Sequence, residues 1–211
     1  RQRDAGTVPE KPIMQTLTRH RSAIGRGFAI SALGSITYYV GITYVPAFLD
    51  ATGTIPETRA LSISVLAALT VILVTPIIGL ASDRYGRRPI LLVLALGGIF
   101  LPTGMFAVMA GGGASTWAGA IVMAALGGAV SAVGAVTTAE QFPGEGRLSG
   151  LALGATTATA IFGGLTPLVA HLLVTNSKWA AAPGAMIAVV ATCVIIVFWR
   201  MPETAPMRAK F

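Results

Sequence analysis

Charge is what this chain has least of. Asp, Glu, Lys and Arg make up 11% of its 211 residues, where a soluble globular domain carries about 25%. Hydrophobic residues account for 54%, and mean hydropathy is +0.75. The shortage is patterned as well. No Asp, Glu, Lys or Arg falls near the middle of a long apolar run, so the residues that usually relay protons inside a membrane are missing from these runs. Cysteine is almost absent: Cys193 lies within an apolar run, which excludes an internal disulfide and a cysteine-based metal site. There is no Gly-x-Ser-x-Gly and no cluster of His, Asp or Glu within the apolar runs, so an enzyme, a metal centre and a bound cofactor are not expected. Residues 1–22 are polar and contain no apolar stretch of the kind that marks a signal peptide.

What the chain does have is long apolar segments. Six occur, over Ile24–Leu49, Leu61–Ala81, Pro89–Ala110, Thr116–Ala139, Ser149–Val174 and Ala180–Met201. Each is long enough to cross a bilayer. Backbone groups in lipid must bond within the structure, and the alternating pattern of a membrane β-barrel is absent, so the segments are expected to be helices. The fold class is therefore an all-α membrane protein. Residues 1–22 form a polar segment in which Ile13–His20 can make a short surface helix, residues 23–201 a six-helix bundle, and residues 202–211 a polar tail.

The cations order these segments. Thirteen of the fifteen Lys and Arg residues lie in 1–26, Ser82–Arg88, Glu140–Arg147 and Arg200–Phe211, leaving only Arg59 and Lys178 for the opposite side. Short loops rich in Lys and Arg stay in the cytoplasm, so both termini are expected there. The basic residues flank apolar spans and build no continuous patch. The pI of 10.3 therefore does not indicate nucleic-acid binding.

Polar residues within the spans mark possible sites. At 100° per residue, Ser31, Gly34, Ser35, Thr37, Tyr38, Gly41 and Tyr44 occupy one half of the first helix, and Tyr39 points off that arc. Thr156, Thr159, Gly163 and Thr166 share a face of the fifth. Such half-faces suit either a wet cavity or hydrogen bonding between helices. Gly127, Ser131, Gly134 and Thr138 form a narrow stripe on the fourth helix, and Gly150 and Gly154 a Gly-x-x-x-Gly pair. Both patterns allow close helix approach. His171 lies about one turn from the end of its span and reads as a polar end residue.

The turn Gly79-Leu-Ala-Ser-Asp83-Arg84-Tyr-Gly86-Arg87-Arg88-Pro89 resembles the cytoplasmic loop between the second and third helices of each half of major facilitator superfamily transporters. Thr37-Tyr-Tyr-Val-Gly-Ile-Thr-Tyr-Val-Pro46, Glu140-Gln-Phe-Pro143 with Arg147, Ala160-Ile-Phe-Gly-Gly-Leu-Thr-Pro167 and Pro202-Glu-Thr-Ala205 are similar to the branch of metabolite–proton symporters that carry citrate, 2-oxoglutarate, shikimate and proline or betaine. Two departures stand out: Gly144-Glu-Gly after Pro143, and Thr156-Thr157 where the family often has an aromatic residue and Asn.

The resemblance implies the C-terminal six-helix half of a twelve-helix transporter in a bacterial inner membrane. Its partners would be a small-molecule substrate, the proton, the lipid bilayer and an N-terminal six-helix half. Tyr38, Tyr44, Thr159 and Ser131 would face the substrate cavity. Gly79, Asp83, Arg84, Gly86, Arg87, Arg88, Glu140 and Arg147 would form the cytoplasmic motif and gate. Within that motif Asp83 would face a helix N-terminus and Arg87, Gly79 would let its helix pack closely, and Gly86 would permit the turn. A drug–proton antiporter of the same fold and a six-helix half that pairs with itself remain open alternatives.

Overall fold

The computed structural model describes residues 20–142 and 147–205. Most of the 1–22 segment, the loop after Phe142 and the end of the tail lie outside the described residues. The described residues hold no strand and form seven helices, α1 (Arg21–Thr43), α2 (Val45–Ala51), α3 (Glu57–Tyr85), α4 (Arg87–Ala110), α5 (Ala114–Glu140), α6 (Arg147–Ser177) and α7 (Ala182–Arg200). Helices α3 to α7 are each long and apolar enough to cross a membrane, and α1 with α2 passes the same test as a bent pair, which makes a sixth when the pair is taken as one span.

Two of the six crossings are not straight α-helices. The span expected over Ile24–Leu49 bends by 49° where α1 meets α2. Its last turn, Tyr39–Thr43, is π-helical, closed by a bond of 2.9 Å from the Tyr44 N–H to the Tyr39 carbonyl five residues back. Pro46 follows in the first turn of α2, where its missing N–H removes no helical bond. Helix α6 carries two more π-helical stretches, Ala152–Thr156 and Ala160–Leu165. A π turn keeps the backbone bonded while adding one residue per turn, so everything beyond it is rotated relative to an α-helix.

Helix α5 sits at the centre, with 61% of its apolar window buried, whereas α3 lies at the edge with 11%. The centre can pack because α5 is rich in small residues. A Cβ at Gly127 would lie 3.1 Å from the Thr37 carbonyl oxygen and 2.9 Å from Ile42 Cδ1, and one at Gly154 would lie 2.9 Å from the Ile24 carbonyl oxygen. Both α5 and α6 therefore lie directly on the backbone of α1. In lipid, where apolar burial drives little association, this close packing is what holds helices together.

The remaining core divides into two clusters. Phe48, Phe106, Met109 and Ile187 pack near the α1–α2 bend, with Phe48 and Phe106 edge to face at 4.9 Å. Leu33, Leu91, Val130 and Phe198 pack toward the arginine-rich end.

Gly127→Leu and Gly154→Val should each lower stability by about 1–3 kcal/mol, the usual cost of forcing volume into a packed contact. Gly104, with open space where a Cβ would go, should accept alanine without loss. Thermal unfolding of the detergent-solubilised chain, followed by fluorescence, distinguishes the two classes.

Candidate functional site

A cavity of about 240 Å³ opens near mid-length of the bundle between α1, α5 and α6, lined by Ser31, Gly34, Ser35, Tyr38, Tyr39, Ser131, Gly134 and Thr159 together with Ile30, Val130 and Ala135. Tyr38, Ser131 and Thr159 thus share one wall-to-wall space. The Ser35 hydroxyl donates to the Thr159 hydroxyl oxygen at 3.0 Å. That bond ties α1 to α6 and leaves the Thr159 proton directed elsewhere. Among the described residues no charged side chain lines the cavity.

The tyrosines fall differently from their α-helical phase. Tyr39, expected off the arc, reaches the cavity with 36% of its surface exposed, beside Tyr38 at 40%. Tyr44, expected in the cavity, is 5% exposed and packs among Phe48 and His171, with ring centroids 6.4 and 6.2 Å away. The π turn accounts for Tyr44: one extra residue sets it back by roughly 100° from its α-helical position. Its hydroxyl is buried with no partner among the described residues. Thr37 also leaves the polar face, since it is fully buried and donates to the Leu33 carbonyl at 2.7 Å.

The stripe on α5 divides in the same way. Gly127 and Gly134 meet Ile42 and Ile30 of α1, and Thr138 meets Gly27. Only Ser131 presents a polar group to the cavity.

The second site is the turn between α3 and α4. Arg87 is 5% exposed and almost fully engaged. Its Nη2 lies 2.6 Å from Asp83 Oδ1 and 3.3 Å from Glu140 Oε1. Its Nε donates to Glu140 Oε2 at 3.3 Å, and its Nη1 donates to the Ser82 hydroxyl. A buried guanidinium needs such partners, because removing one leaves an uncompensated charge. Thr204 donates to the same Glu140 carboxylate at 2.7 Å, which brings the tail into the cluster.

Asp83 does not face a helix N-terminus. That position belongs to Glu203. Its Oε1 accepts from the Arg87 N–H at 2.7 Å, and its Oε2 accepts from the Arg88 N–H at 3.1 Å. A carboxylate there satisfies two open N–H donors and complements the helix dipole. The sequence does carry a signal for it. Gly86, the residue before α4, has no side chain to cap the helix, so the open N–H groups are left to a remote acceptor or to water. Gly86 takes φ 107°, and a Cβ there would come within 2.5 Å of Glu203 Oε2. Glycine at this position thus serves both the turn and the approach of Glu203.

Other motif residues lie outside the cluster. Gly79 has open space around it within this bundle. Arg84 sits over the Tyr85 ring at 5.8 Å, and Arg88 over the Trp199 ring at 6.0 Å. Arg147 is exposed and shares a groove with Glu140 without an ion pair between them.

Residues 19–211 match the family model described as Major Facilitator Superfamily. The chain belongs to that superfamily. It is similar to a citrate-proton symporter of Klebsiella pneumoniae, 23% identical over 87% of this chain and 42% of the relative. It also resembles a proline/betaine transporter of Escherichia coli K12, 31% identical over 81% of this chain and 34% of the relative. The alpha-ketoglutarate permease of the same organism is 28% identical over 80% of this chain and 40% of the relative. These relatives match the metabolite–proton symporter branch. The chain spans about two fifths of their length. No solved structure matches it. Membership of the major facilitator superfamily makes it an integral membrane chain of a transporter family, not an enzyme.

Glu203→Gln should destabilise the bundle by about 0.5–2 kcal/mol through loss of charge at the α4 N-terminus. Gly86→Ala should cost about 1–3 kcal/mol from its positive φ alone. Because both changes disturb one contact, the double variant should lose less than the sum. A double-mutant cycle on thermal unfolding measures this, and full additivity would show that Gly86 acts through its backbone angle only.

Proposed function

We propose that this chain is the C-terminal six-helix half of a proton-coupled secondary transporter, carrying a small organic acid or zwitterion across a bacterial cytoplasmic membrane by alternating access. The observation that carries this reading is the uncharged, hydroxyl- and tyrosine-lined cavity at mid-length between α1, α5 and α6, in a chain of the major facilitator superfamily. Secondary transporters hold substrate near the bilayer midplane between two repeats, and this cavity is one wall of such a site. The other wall is the N-terminal half. Helix α3 is left with a stripe of exposed apolar residues, including Leu61, Val65, Leu69, Leu73 and Leu80, which the second half and lipid would cover. The coupling carboxylates belong to that half in this reading, since among the described residues no acidic one lines this cavity.

Both termini and the Asp83–Arg88 turn are cytoplasmic in this reading, as the distribution of cations supports. In a Cys193→Ala background, Ala114→Cys should react with an impermeant thiol reagent added to intact cells, and Tyr85→Cys should not. Both residues are exposed. Labelling of Tyr85→Cys from outside would reverse the topology.

Arg87, Glu140, Ser82 and Thr204 bind one another within this bundle, which makes them a clamp that keeps α3, α4, α5 and the tail moving together. Asp83 is different. Its side chain is 46% exposed, so one carboxylate face is free to contact the N-terminal half and hold the cytoplasmic side closed. Uptake of citrate, 2-oxoglutarate and betaine into proteoliposomes of the complete transporter, with and without an inward proton gradient, tests the function. Gradient-driven uptake of at least one is expected, and none would overturn the reading. Asp83→Asn should lower that uptake by roughly tenfold or more with normal membrane insertion, equivalent to about 1.4 kcal/mol of bias between two conformations.

A further inference from the structure

Away from the cavity, the bundle carries two cations that the Arg87 cluster leaves unused. Helices α4 and α7 pack along each other: Leu91 near the start of α4 shares a core cluster with Phe198 and Met201 at the end of α7. Neither helix lines the cavity, so their outward side looks away from that space, toward lipid. It is apolar for most of its length. Leu96 and Phe100 of α4 and Val189 and Ile196 of α7 are exposed, Phe100 by 74%. At the arginine-rich end the apolar face stops. Arg88 lies over the Trp199 ring at 6.0 Å, and that ring is 66% exposed. Arg200 follows it, is exposed as well, and at 100° per residue continues the line of Val189 and Ile196.

We propose that Arg88 and Arg200, with Trp199 between them, hold the phosphate of an anionic phospholipid at the rim of α4 and α7. The site is separate from the transporter reading and stands without it. Three observations lead to it. The neighbouring carboxylates are already engaged. Asp83 and Glu140 pair with Arg87, and Glu203 accepts from the backbone N–H groups of Arg87, Arg88, Thr204 and Ala205. Among the described residues no carboxylate pairs with the guanidinium of Arg88 or Arg200. Second, the contact with Trp199 holds Arg88 against α7 without consuming its N–H donors, since a ring attracts the charge and accepts no ordinary hydrogen bond. Such a fork matches two phosphate oxygens. Third, an indole sits at headgroup depth in a bilayer, and the exposed apolar residues of both helices continue from it in the direction that acyl chains take. Two cations and no free carboxylate favour a headgroup with net negative charge, such as phosphatidylglycerol, over a zwitterionic one.

The test reads Trp199 itself. The complete protein is made with Trp199 as its only tryptophan, Trp117→Phe and Trp179→Phe included, and placed in bilayers of phosphatidylcholine and phosphatidylglycerol. Acyl chains that carry bromine, which quenches tryptophan on contact, are introduced in one lipid at a time. Brominated phosphatidylglycerol should quench Trp199 as though enriched about fivefold or more over its mole fraction, the effect of a cation or two at an anionic surface. Arg88→Gln with Arg200→Gln should abolish the enrichment, and each single change should reduce it. Arg59→Gln, which removes one charge at the opposite end of the bundle, should leave it intact. Native mass spectrometry of the unsubstituted protein gives a second reading that needs no tryptophan change: it should retain one more phosphatidylglycerol than the double Gln variant. No enrichment at Trp199, or equal retention of lipid by the double variant, would overturn the site. An equal loss in Arg59→Gln would overturn it as well, by reducing the effect to diffuse attraction between a basic chain and an anionic bilayer. Recovery of fluorescence in millimolar glycerol phosphate at constant ionic strength would assign the two cations to a soluble anion instead.

Discussion

The cavity depends on how α1 keeps its backbone bonded while changing its register. In lipid there is no water to satisfy a broken helical bond, so a membrane helix cannot simply open to re-aim a side chain. A π turn is one of the few alternatives. It replaces four-residue bonds by five-residue ones, as in the bond from Tyr44 to Tyr39, and rotates everything beyond it. Up to Tyr39 the polar residues of α1 other than Thr37 face α5 and α6 across open space. Beyond it Tyr44 turns into the core against Phe48 and His171. The bend at Tyr44 and the proline at position 46 follow directly. Helix α6 answers with π turns of its own, and the helix pair with irregular backbones is the pair on either side of the cavity.

Two contacts made possible by glycine fix this geometry. Gly154 brings α6 onto the Ile24 carbonyl, and Gly127 brings α5 onto the Thr37 carbonyl. Small residues thus set the distances between helices, while the hydroxyl and tyrosine side chains use the gap that remains. At the arginine-rich end the organising element is electrostatic. One buried guanidinium is shared by Asp83 and Glu140, and a third carboxylate, Glu203, is balanced by the start of α4 rather than by a cation. Four elements, α3, α4, α5 and the tail, meet at that cluster. Its charges have their partners within the bundle, which suits a body that moves as one unit against another.

Much of this was legible in the sequence. Apolar runs of about twenty residues predict the crossings because hydrocarbon thickness and helical rise leave little choice. The arginine-rich turn and the hydroxyl face of α1 were readable for the same reason: each residue type is costly in the wrong place. Ser131, Tyr38 and Thr159 reach one cavity because the helical phase holds as far as Tyr39. What was not legible is where the phase breaks. Nothing in Tyr39-Val-Gly-Ile-Thr43 distinguishes a π turn from an α-helix, so an unbroken α-helical phase puts Tyr44 in the cavity. The place of Glu203 is hidden in the sequence for another reason. Asp83 is nearer to α4 in sequence, and only the folded chain shows that Arg87 already occupies it.

The most direct test of this account is cysteine accessibility along α1. Single cysteines from Ser31 to Tyr44, in a Cys193→Ala form of the complete transporter, would be exposed to a hydrophilic thiol reagent with and without transported substrate. The account predicts labelling at positions 31, 34, 35, 38 and 39, protection of those positions by substrate, and no labelling at 37 or 44. Labelling and protection at 41 and 44 would mean that α1 runs on as an unbroken α-helix, and the cavity described here would be wrong.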